Sequence, residues 1–308
     1  MNTQHRMVPF FGLITYNLFA ALLGSPLFGE TITTIERSGE DWVYASTEKN
    51  GMLVSSDEGK TWRNRSKGLP SKQVWPFEGD QYRRITDIAT DSENRLRAAV
   101  TTSTGLFLTE NGGARWYELE LDYPVKSSNY LTSVAFDSRR GLIYLGTSFN
   151  GLFVSADRGR SWEKLDDYLE PLYRGAGFYR EITDISVRSG NGMVYLLNSF
   201  DERIYVYDPG DGIKHTIEIP DGTAYIESIS EYRGKGESGP AFELHGRRTR
   251  LIYSLDEEQW RSLPPLLLKP LRSEGQENRG ESDEKRAIYL NAYNAYGSRL
   301  ESHLEFLE

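Results

Sequence analysis

The residues of this sequence that most suggest chemistry are two Tyr-Arg pairs. They occupy corresponding places in two segments that lead into predicted strands, Tyr82-Arg83-Arg84-Ile85-Thr86-Asp87-Ile88 and Tyr179-Arg180-Glu181-Ile182-Thr183-Asp184-Ile185. An aromatic ring with arginine donors beside it suits a sugar or an extended peptide. The pairs therefore favour ligand binding.

Long aromatic connections surround these pairs. Together with the pairs, they supply the candidate ligand-binding residues Trp75, Phe77, Tyr82, Arg83, Arg84, Tyr123, Tyr130, Tyr173, Phe178, Tyr179 and Arg180. The alternative is that each ring fills the gap between neighbouring structural units, since isolated exposed aromatic residues need no functional explanation.

Motifs of the common catalytic and cofactor sites are absent from the sequence. Gly59-Lys60-Thr61 resembles the end of a phosphate-binding loop, but Val54 stands where that loop requires glycine. No GxSxG, HExxH, GxGxxG or EF-hand pattern occurs, and none of the four His stands where a catalytic triad can be argued. Zero Cys excludes disulfides, Cys-ligated metals and a thiol nucleophile. The sequence therefore predicts no catalytic residue, no metal site and no cofactor.

Composition restricts the class of protein. The chain has 308 residues, 38% hydrophobic and 26% charged, which is typical of a soluble globular protein. Lys and Arg number 36 against 45 Asp and Glu, and the net charge of -9 argues against a nucleic-acid partner. The 29 Gly and 19 Tyr favour strands joined by tight turns. The expected fold class is all-β.

A repeat organises most of the chain. Three segments align without gaps, namely GMLVSSDEGKTW at 51–62, GLFLTENGGARW at 105–116 and GLFVSADRGRSW at 151–162. The period is about 50 residues, and Trp260 follows Trp162 after two further periods. A degenerate unit at 182–219 occupies the interval, so the sequence contains five units.

Each unit contains four short apolar runs separated by turn residues. In the second unit these runs are Ile85–Ala89, Leu96–Thr101, Gly105–Thr109 and Trp116–Leu119. Repeated four-stranded units indicate a five-bladed β-propeller with four-stranded blades. We predict a propeller over 30–265, with blades at about 31–66, 82–121, 129–166, 179–220 and 224–263.

The segment that ends at each repeated Trp resembles the Asp-box, S-x-D-x-G-x-T-W, of sialidases, sortilin-type receptors and bacterial propellers. The resemblance implies a propeller in which the box residues are structural: the acid accepts backbone N–H groups, Gly permits positive φ and Trp packs against its blade. The box residues are Ser55, Asp57, Gly59, Thr61, Trp62, Thr109, Asn111, Gly113, Trp116, Ser155, Asp157, Gly159, Ser161, Trp162, Asp256 and Trp260.

The resemblance does not extend to sialidase catalysis. Sialidases use an arginine triad, a Tyr with an acidic partner and a further acid for catalysis. Their sequences usually contain a Phe-Arg-Ile-Pro segment, and this sequence has none. Fold does not carry function. A sialidase-like hydrolase is therefore kept only as the least favoured of the functional alternatives.

The geometry of an antiparallel blade separates two kinds of loop. The turns between the third and fourth strands, which hold the boxes, lie on one face of a propeller, and the blade-to-blade connections lie on the other. The aromatic candidates are therefore predicted to share the face opposite the boxes.

The N-terminus has the layout of a signal peptide. Residues 1–7 carry His5 and Arg6 and no acid, and an apolar run follows from Val8 to Leu23. We predict a signal peptide over 1–29 and an exported protein that is periplasmic, at the cell surface or secreted. The alternative is an uncleaved anchor, but Pro9 and Pro26 shorten the uninterrupted apolar stretch.

The C-terminal region differs from the repeats. Residues 266–286 are predicted to be a linker, since SEGQENRGESDEKR contains no apolar residue, although Pro264–Leu271 could instead brace the ring. The tail at 287–308, AIYLNAYNAYGSRLESHLEFLE, resembles the opening strand and helix of a bacterial glycoside hydrolase βα barrel. The alternative is a helix that packs on the propeller.

Two functional hypotheses follow. In the first, the chain is an exported recognition or scaffold propeller that binds a carbohydrate or protein partner through its aromatic loops, without catalysis. In the second, it is the N-terminal accessory propeller of a larger glycoside hydrolase whose barrel lies downstream.

Overall fold

A computed structural model of the chain describes residues 32–39, 41–48, 50–73, 80–121, 130–165, 181–188, 191–223, 226–232, 240–246 and 249–263. Within them, strands form five four-stranded antiparallel sheets and one two-stranded hairpin. The predicted all-β propeller with five four-stranded blades is confirmed.

The first two blades are separated by the hairpin. Blade 1 contains β1 (Ile32–Ser38), β2 (Trp42–Thr47), β3 (Met52–Ser55) and β4 (Arg63–Asn64). The hairpin contains β5 (Ser71–Gln73) and β6 (Asp80–Tyr82). Blade 2 contains β7 (Ile85–Asp91), β8 (Asn94–Thr102), β9 (Leu106–Thr109) and β10 (Tyr117–Leu119).

The remaining blades follow the same order of strands. Blade 3 contains β11 (Leu131–Asp137), β12 (Leu142–Thr147), β13 (Leu152–Ser155) and β14 (Glu163–Lys164). Blade 4 contains β15 (Asp184–Val187), β16 (Val194–Asn198), β17 (Arg203–Asp208) and β18 (Gly212–Glu218). Blade 5 contains β19 (Ile226–Tyr232), β20 (Ala241–Gly246), β21 (Thr249–Ser254) and β22 (Gln259–Ser262).

The first strand of each blade packs against the first strand of the next. β7 contacts both β1 and β11, and β15 contacts both β11 and β19. The other strands of each blade follow outward in sequence order, each paired with the strand before it. This order is that of an up-and-down propeller blade.

The hydrophobic core lies between blades. Tyr44 and Val54 are register partners, so they share a face of blade 1, and that face packs against Val100 and Phe107 of blade 2. The neighbouring residue Val43 faces the opposite way and is also fully buried. Because the middle strands are covered on both faces, they are almost continuously apolar instead of alternating with polar residues.

Two buried carboxylates join the first strands of neighbouring blades. Asp87 accepts hydrogen bonds from its neighbour Ile88 N at 2.8 Å and from Val134 N of blade 3 at 2.9 Å. Asp184 repeats this arrangement between blades 4 and 5, with Ile229 N at 3.0 Å. Both acids follow the Tyr-Arg pairs in sequence, and both satisfy backbone donors inside the ring.

Candidate functional site

The loops of the propeller lie on two opposite faces. In blade 1, the box turn meets the β1–β2 turn, since Glu58 N donates to Asp41 O at 2.8 Å. At the other face, the β2–β3 loop meets the first blade-to-blade connection. Gly51 of this loop lies directly against the ring of Tyr82 in the connection, since a Cβ added to Gly51 would be only 2.8 Å from Cγ of Tyr82. We call this second surface, formed by the β2–β3 loops and the blade-to-blade connections, the loop face.

The first Tyr-Arg pair lies on the loop face, and its residues differ in environment. Tyr82 is half-buried and packs against the core between blades 1 and 2. Arg83 and Arg84 are exposed, and the backbone N–H of Arg83 donates to Pro70 O at 2.9 Å. The tyrosine therefore contributes to packing between blades, while the arginines remain accessible.

Tyr130 is the second aromatic candidate that the structure describes. It is 38% exposed, and its backbone N–H donates to Ser148 Oγ at 3.1 Å while its carbonyl accepts from Ser148 N at 3.1 Å. These two hydrogen bonds attach the blade 2 to blade 3 connection to the β12–β13 loop. The candidates that lie outside the described residues are Trp75, Phe77, Tyr123, Tyr173, Phe178, Tyr179 and Arg180.

The loop face also holds two exposed phenylalanines that the sequence analysis missed. Phe149 in the β12–β13 loop is 44% exposed, and Phe200 in the corresponding β16–β17 loop is 55% exposed. Each follows a serine at the same place in its blade, in Thr-Ser-Phe-Asn-Gly and Asn-Ser-Phe-Asp-Glu. That repeated Ser-Phe in a turn is the signal that could have identified them.

Side-chain hydrogen bonds hold both phenylalanine loops in ordered turns. Thr147 Oγ1 accepts from Asn150 N at 2.9 Å and donates to Gly151 O at 2.9 Å. Asn198 Oδ1 accepts from Phe200 N at 3.0 Å and from Asp201 N at 2.9 Å. Because the backbone is fixed by these Thr and Asn side chains, both rings are presented without a large entropic cost on binding.

Glu181, which follows Arg180 in the second Tyr-Arg segment, also lies at this face. Glu181 immediately precedes Ile182, whose N–H donates to Thr147 O at 3.0 Å. Burial raises the pKa of Glu181 above its ordinary value. Its carboxyl group therefore lies in a less polar environment than the exposed Arg83 and Arg84.

The box face is built by hydrogen bonds inside each turn. In blade 1, Asp57 accepts from Thr61 N at 2.8 Å and Thr61 Oγ1 at 2.6 Å, while Ser55 Oγ accepts from Gly59 N at 2.7 Å. Asn111 takes the acid's place in blade 2, where it accepts from Arg115 N at 2.9 Å, and Thr109 Oγ1 accepts from Gly113 N at 3.0 Å. An amide can therefore fill the acid position, since only acceptor oxygens are needed there.

The third box repeats the first. Asp157 accepts from Ser161 N at 2.8 Å and Ser161 Oγ at 2.7 Å, and Ser155 Oγ accepts from Gly159 N at 2.7 Å. Gly159 has φ of 85°, which glycine adopts without strain. Blade 5 differs, because Asp256 is an exposed turn residue and Ser254 Oγ accepts from Glu257 N at 3.4 Å.

The box tryptophans pack against the preceding blade as well as their own. The indole N–H of Trp116 donates to Arg65 O of blade 1 at 2.7 Å, and that of Trp260 donates to Glu218 O of blade 4 at 3.1 Å. Trp162 packs against the core between blades 2 and 3. The strand predicted to begin at Trp116 begins at Tyr117, because Trp116 N donates instead to Lys67 O at 2.8 Å.

The box aspartates are expected to make stability depend on acid pH. Hydrogen bonds from the side chain and backbone of Ser161 lower the pKa of Asp157 to about 2. At Asp57, partial burial acts to raise the pKa, but the bonds from Thr61 and Ser55 outweigh it and the pKa is lowered. A carboxyl whose pKa is depressed on folding stabilises the protein above its unfolded pKa of about 4, and this contribution is lost as pH falls toward the folded pKa.

We therefore expect the melting temperature to fall between about pH 4 and pH 2, and Asp157→Asn to reduce the size of that fall. Differential scanning fluorimetry across this range is the measurement. Because Asn111 shows that an amide fits the turn, the variant should fold normally at pH 7. An unchanged pH profile in the variant would show that Asp157 does not contribute to the acid transition.

The geometry of the boxes agrees with a comparison against protein families. The family model described as "Sortilin, neurotensin receptor 3," matches residues 50–191. This range contains the boxes of blades 1, 2 and 3. The chain is therefore a β-propeller with Asp-box-like turns, and over these three blades it resembles the sortilin family.

Solved structures resemble this Asp-box propeller in fold. "YCF48 bound to D1 peptide" has a TM-score of 0.50 at 15% identity, over 79% of this chain and 70% of that chain. The GH74 xyloglucanase from Xanthomonas campestris has a TM-score of 0.54 at 17% identity, over 80% of this chain and 39% of that chain. The extracellular domain of a one component system from B. thetaiotaomicron has a TM-score of 0.50 at 14% identity, over 76% of this chain and 28% of that chain.

These likenesses show the fold and do not distinguish an enzyme from a binding protein. The Asp-box propeller chain spans about two fifths of the xyloglucanase and over a quarter of the extracellular domain. No curated protein matches the chain significantly.

Neither a metal-binding cluster nor a membrane-spanning helix occurs in the part of the chain that the structure describes. Within the described residues of the Asp-box propeller, no group of three or more His, Cys, Asp or Glu is placed to hold a metal ion. In the same part of the chain, no helix has both the length and the hydrophobicity of a membrane span.

Proposed function

We propose that this Asp-box propeller is an exported recognition or scaffold module that binds a carbohydrate or protein partner through its loop face, without catalysis of its own. One observation carries the proposal: Phe149 and Phe200 are exposed on that face, and hydrogen bonds from Thr147 and Asn198 hold the turns that carry them. Exposed aromatic rings on ordered loops are typical of binding sites.

The two faces differ in their chemistry. The polar groups of the box turns satisfy one another, as at Asp57 and Asp157. The loop face presents aromatic rings, and the arginines Arg83 and Arg84 accompany them. Exposed aromatic rings with arginine donors on the same surface favour the loop face as the binding surface.

Export is part of the proposal and rests on the signal-peptide pattern at 1–29. The match of a sortilin model and the likeness to an extracellular domain support an extracellular or envelope location. The solved neighbours include a propeller with a bound peptide and a xyloglucanase, so partners of both proposed classes occur among proteins of this fold.

The test is binding of the purified chain to immobilised cell-envelope polysaccharides and to an array of short peptides. For a ligand found in this way, the Phe149→Ala, Phe200→Ala double variant should bind at least about tenfold more weakly, since each ring removed from a binding site costs on the order of 1–2 kcal/mol. The matched control is the Leu96→Ala, Tyr117→Ala double variant, because both residues are exposed and lie next to the box turn of blade 2. Leu96 O accepts from Gly112 N of that turn at 2.8 Å, and Tyr117 follows the turn directly. Equal affinities of the two variants would contradict the proposal.

The second candidate is an accessory propeller of a larger glycoside hydrolase. The likeness to the GH74 xyloglucanase and the strand-helix pattern at 287–308 favour it. An immunoblot of native cells with an antibody against the propeller separates the candidates. A band near 35.1 kDa or slightly below supports the binding module, whereas a much larger band supports the accessory domain.

A further inference from the structure

The hairpin formed by β5 and β6 has exposed basic residues on the face that points away from the core. Lys72 is the register partner of Gln81, and Ser71 is the partner of Tyr82. Because side chains alternate between the faces of a strand, Lys72, Gln81 and Arg83 share one face of the hairpin, while Tyr82 lies on the other. Tyr82 packs against the core between blades 1 and 2, so the face with Lys72 and Arg83 points away from the core.

This basic hairpin face, composed of Lys72, Gln81 and Arg83, has two accessible cations. Lys72 and Arg83 are both exposed. Exposed Arg84 and Lys67 flank them in the same connection. Within residues 67–84 the four basic residues outnumber the acids Glu78 and Asp80, so this connection carries a net positive charge in a protein of net charge -9 and favours an anionic ligand.

The spacing of the two cations fits one class of anion. Diagonal neighbours on an antiparallel pair, such as Lys72 and Arg83, lie about 7–8 Å apart. Alternate side chains of an extended peptide project to the same side at intervals of about 7 Å. Two acidic residues separated by one residue in an extended peptide can therefore each meet one cation.

We propose that the basic hairpin face binds an extended acidic peptide segment with Asp or Glu at alternate positions. The hairpin lies on the loop face, so this inference rests on the proposed function and specifies one chemistry of its partner. Arg83 can hold a carboxylate through two hydrogen bonds, and Lys72 contributes a compact charge.

The experiment uses the full chain and a fluorescein-labelled peptide of alternating Glu and Thr, followed by fluorescence polarisation at low and high salt. The wild type should bind this peptide, bind its Glu→Gln counterpart about tenfold or more weakly, and lose affinity as salt screens the charges. The Lys72→Glu, Arg83→Glu double variant should bind at least about tenfold more weakly than the wild type.

The matched control is the Arg115→Glu, Arg160→Glu double variant. Both arginines are exposed in box turns on the opposite face, and their replacement changes the net charge by the same amount. The control should keep affinity within about twofold. Thermal unfolding by circular dichroism verifies that both variants fold.

Three outcomes would overturn the inference: no binding of the acidic peptide by the wild type, equal losses in the two double variants, or displacement of the peptide by polygalacturonate at lower concentration than by unlabelled peptide.

The Phe149→Ala, Phe200→Ala variant keeps the two proposals distinguishable. If that variant loses its array ligand while the Lys72 and Arg83 changes have no effect, the loop-face function stands and the acidic-peptide inference fails. If only the Lys72 and Arg83 changes matter, the acidic-peptide inference stands and the aromatic basis of the function fails.

Discussion

Replacement of Trp116 by alanine should lower the free energy of unfolding by about 3–5 kcal/mol, the range for removal of a large buried aromatic side chain. Trp116 is 1% exposed and packs edge-to-face against Tyr44 of blade 1, with ring centroids 6.5 Å apart. Its indole N–H also donates to Arg65 O at 2.7 Å. The substitution therefore leaves a cavity and an unsatisfied carbonyl between two blades.

Urea unfolding followed by tryptophan fluorescence and circular dichroism measures this effect. The adjacent residue Tyr117 provides the control, since it is 40% exposed and its replacement by alanine should change stability by less than about 1 kcal/mol. Trp116→Phe should lie between the two, because phenylalanine refills part of the volume but cannot donate to Arg65. A loss in Trp116→Ala no larger than that in Tyr117→Ala would show that packing between blades 1 and 2 does not depend on the indole.

The second large effect concerns a buried ion pair in blade 5. Glu243 and Arg250 form a salt bridge, with side chains 0% and 3% exposed, and His245 Nε2 lies 3.6 Å from Glu243 Oε2. Register places His245 opposite Arg250, so these charged residues share a face of the blade. Leu244 and Tyr253 occupy the other face and pack against blade 4.

Glu243→Ala should destabilise the protein by about 3–5 kcal/mol, because it leaves the Arg250 charge buried without this counter-ion. The Glu243→Leu, Arg250→Met double variant should recover most of the loss, since apolar side chains of similar size avoid the desolvation of both charges. Equilibrium urea unfolding of the single and double variants is the measurement.

The exposed pair between Arg203 and Glu218 is the matched control. Its side chains are 40% and 79% exposed, and the atoms lie 3.5 Å apart. Glu218→Ala should change stability by about 0–1 kcal/mol, as is usual for solvent-screened pairs. A double variant in blade 5 that is as unstable as Glu243→Ala would show that Glu243 contributes through specific polar contacts instead of charge balance.

The repeat allowed the fold to be predicted because a box is a local structure. Ser55, Asp57 and Gly59 bond to one another within five residues, so their spacing in the sequence already contains the geometry of the turn. The recurrence of that spacing, with four apolar runs in each unit, predicted the number of blades and the strands in each. Even blade 4, which lacks a box, kept the four runs and forms a four-stranded sheet.

The candidate site was less predictable. Tyr82, Arg83, Arg84 and Tyr130 were identified from the composition of the connections, but their different exposures depend on what packs beneath them. Phe149 and Phe200 were missed because an apolar residue beside a buried strand is normally part of the core. Only the path of the chain shows that each lies at the tip of a turn.

Interactions within one unit were therefore determined by the sequence itself: the box turns, the four strands and the all-β class. Interactions between units were decided by the tertiary structure. Examples are the hydrogen bond from Val134 N to Asp87 and the hydrogen bond from the Trp116 indole to Arg65 O. The position of Phe149 and Phe200 on one loop face was decided in the same way. The physical reason is the distance along the chain. Hydrogen bonds over four residues follow from local backbone geometry, whereas partners about fifty residues apart meet only when successive blades pack side by side.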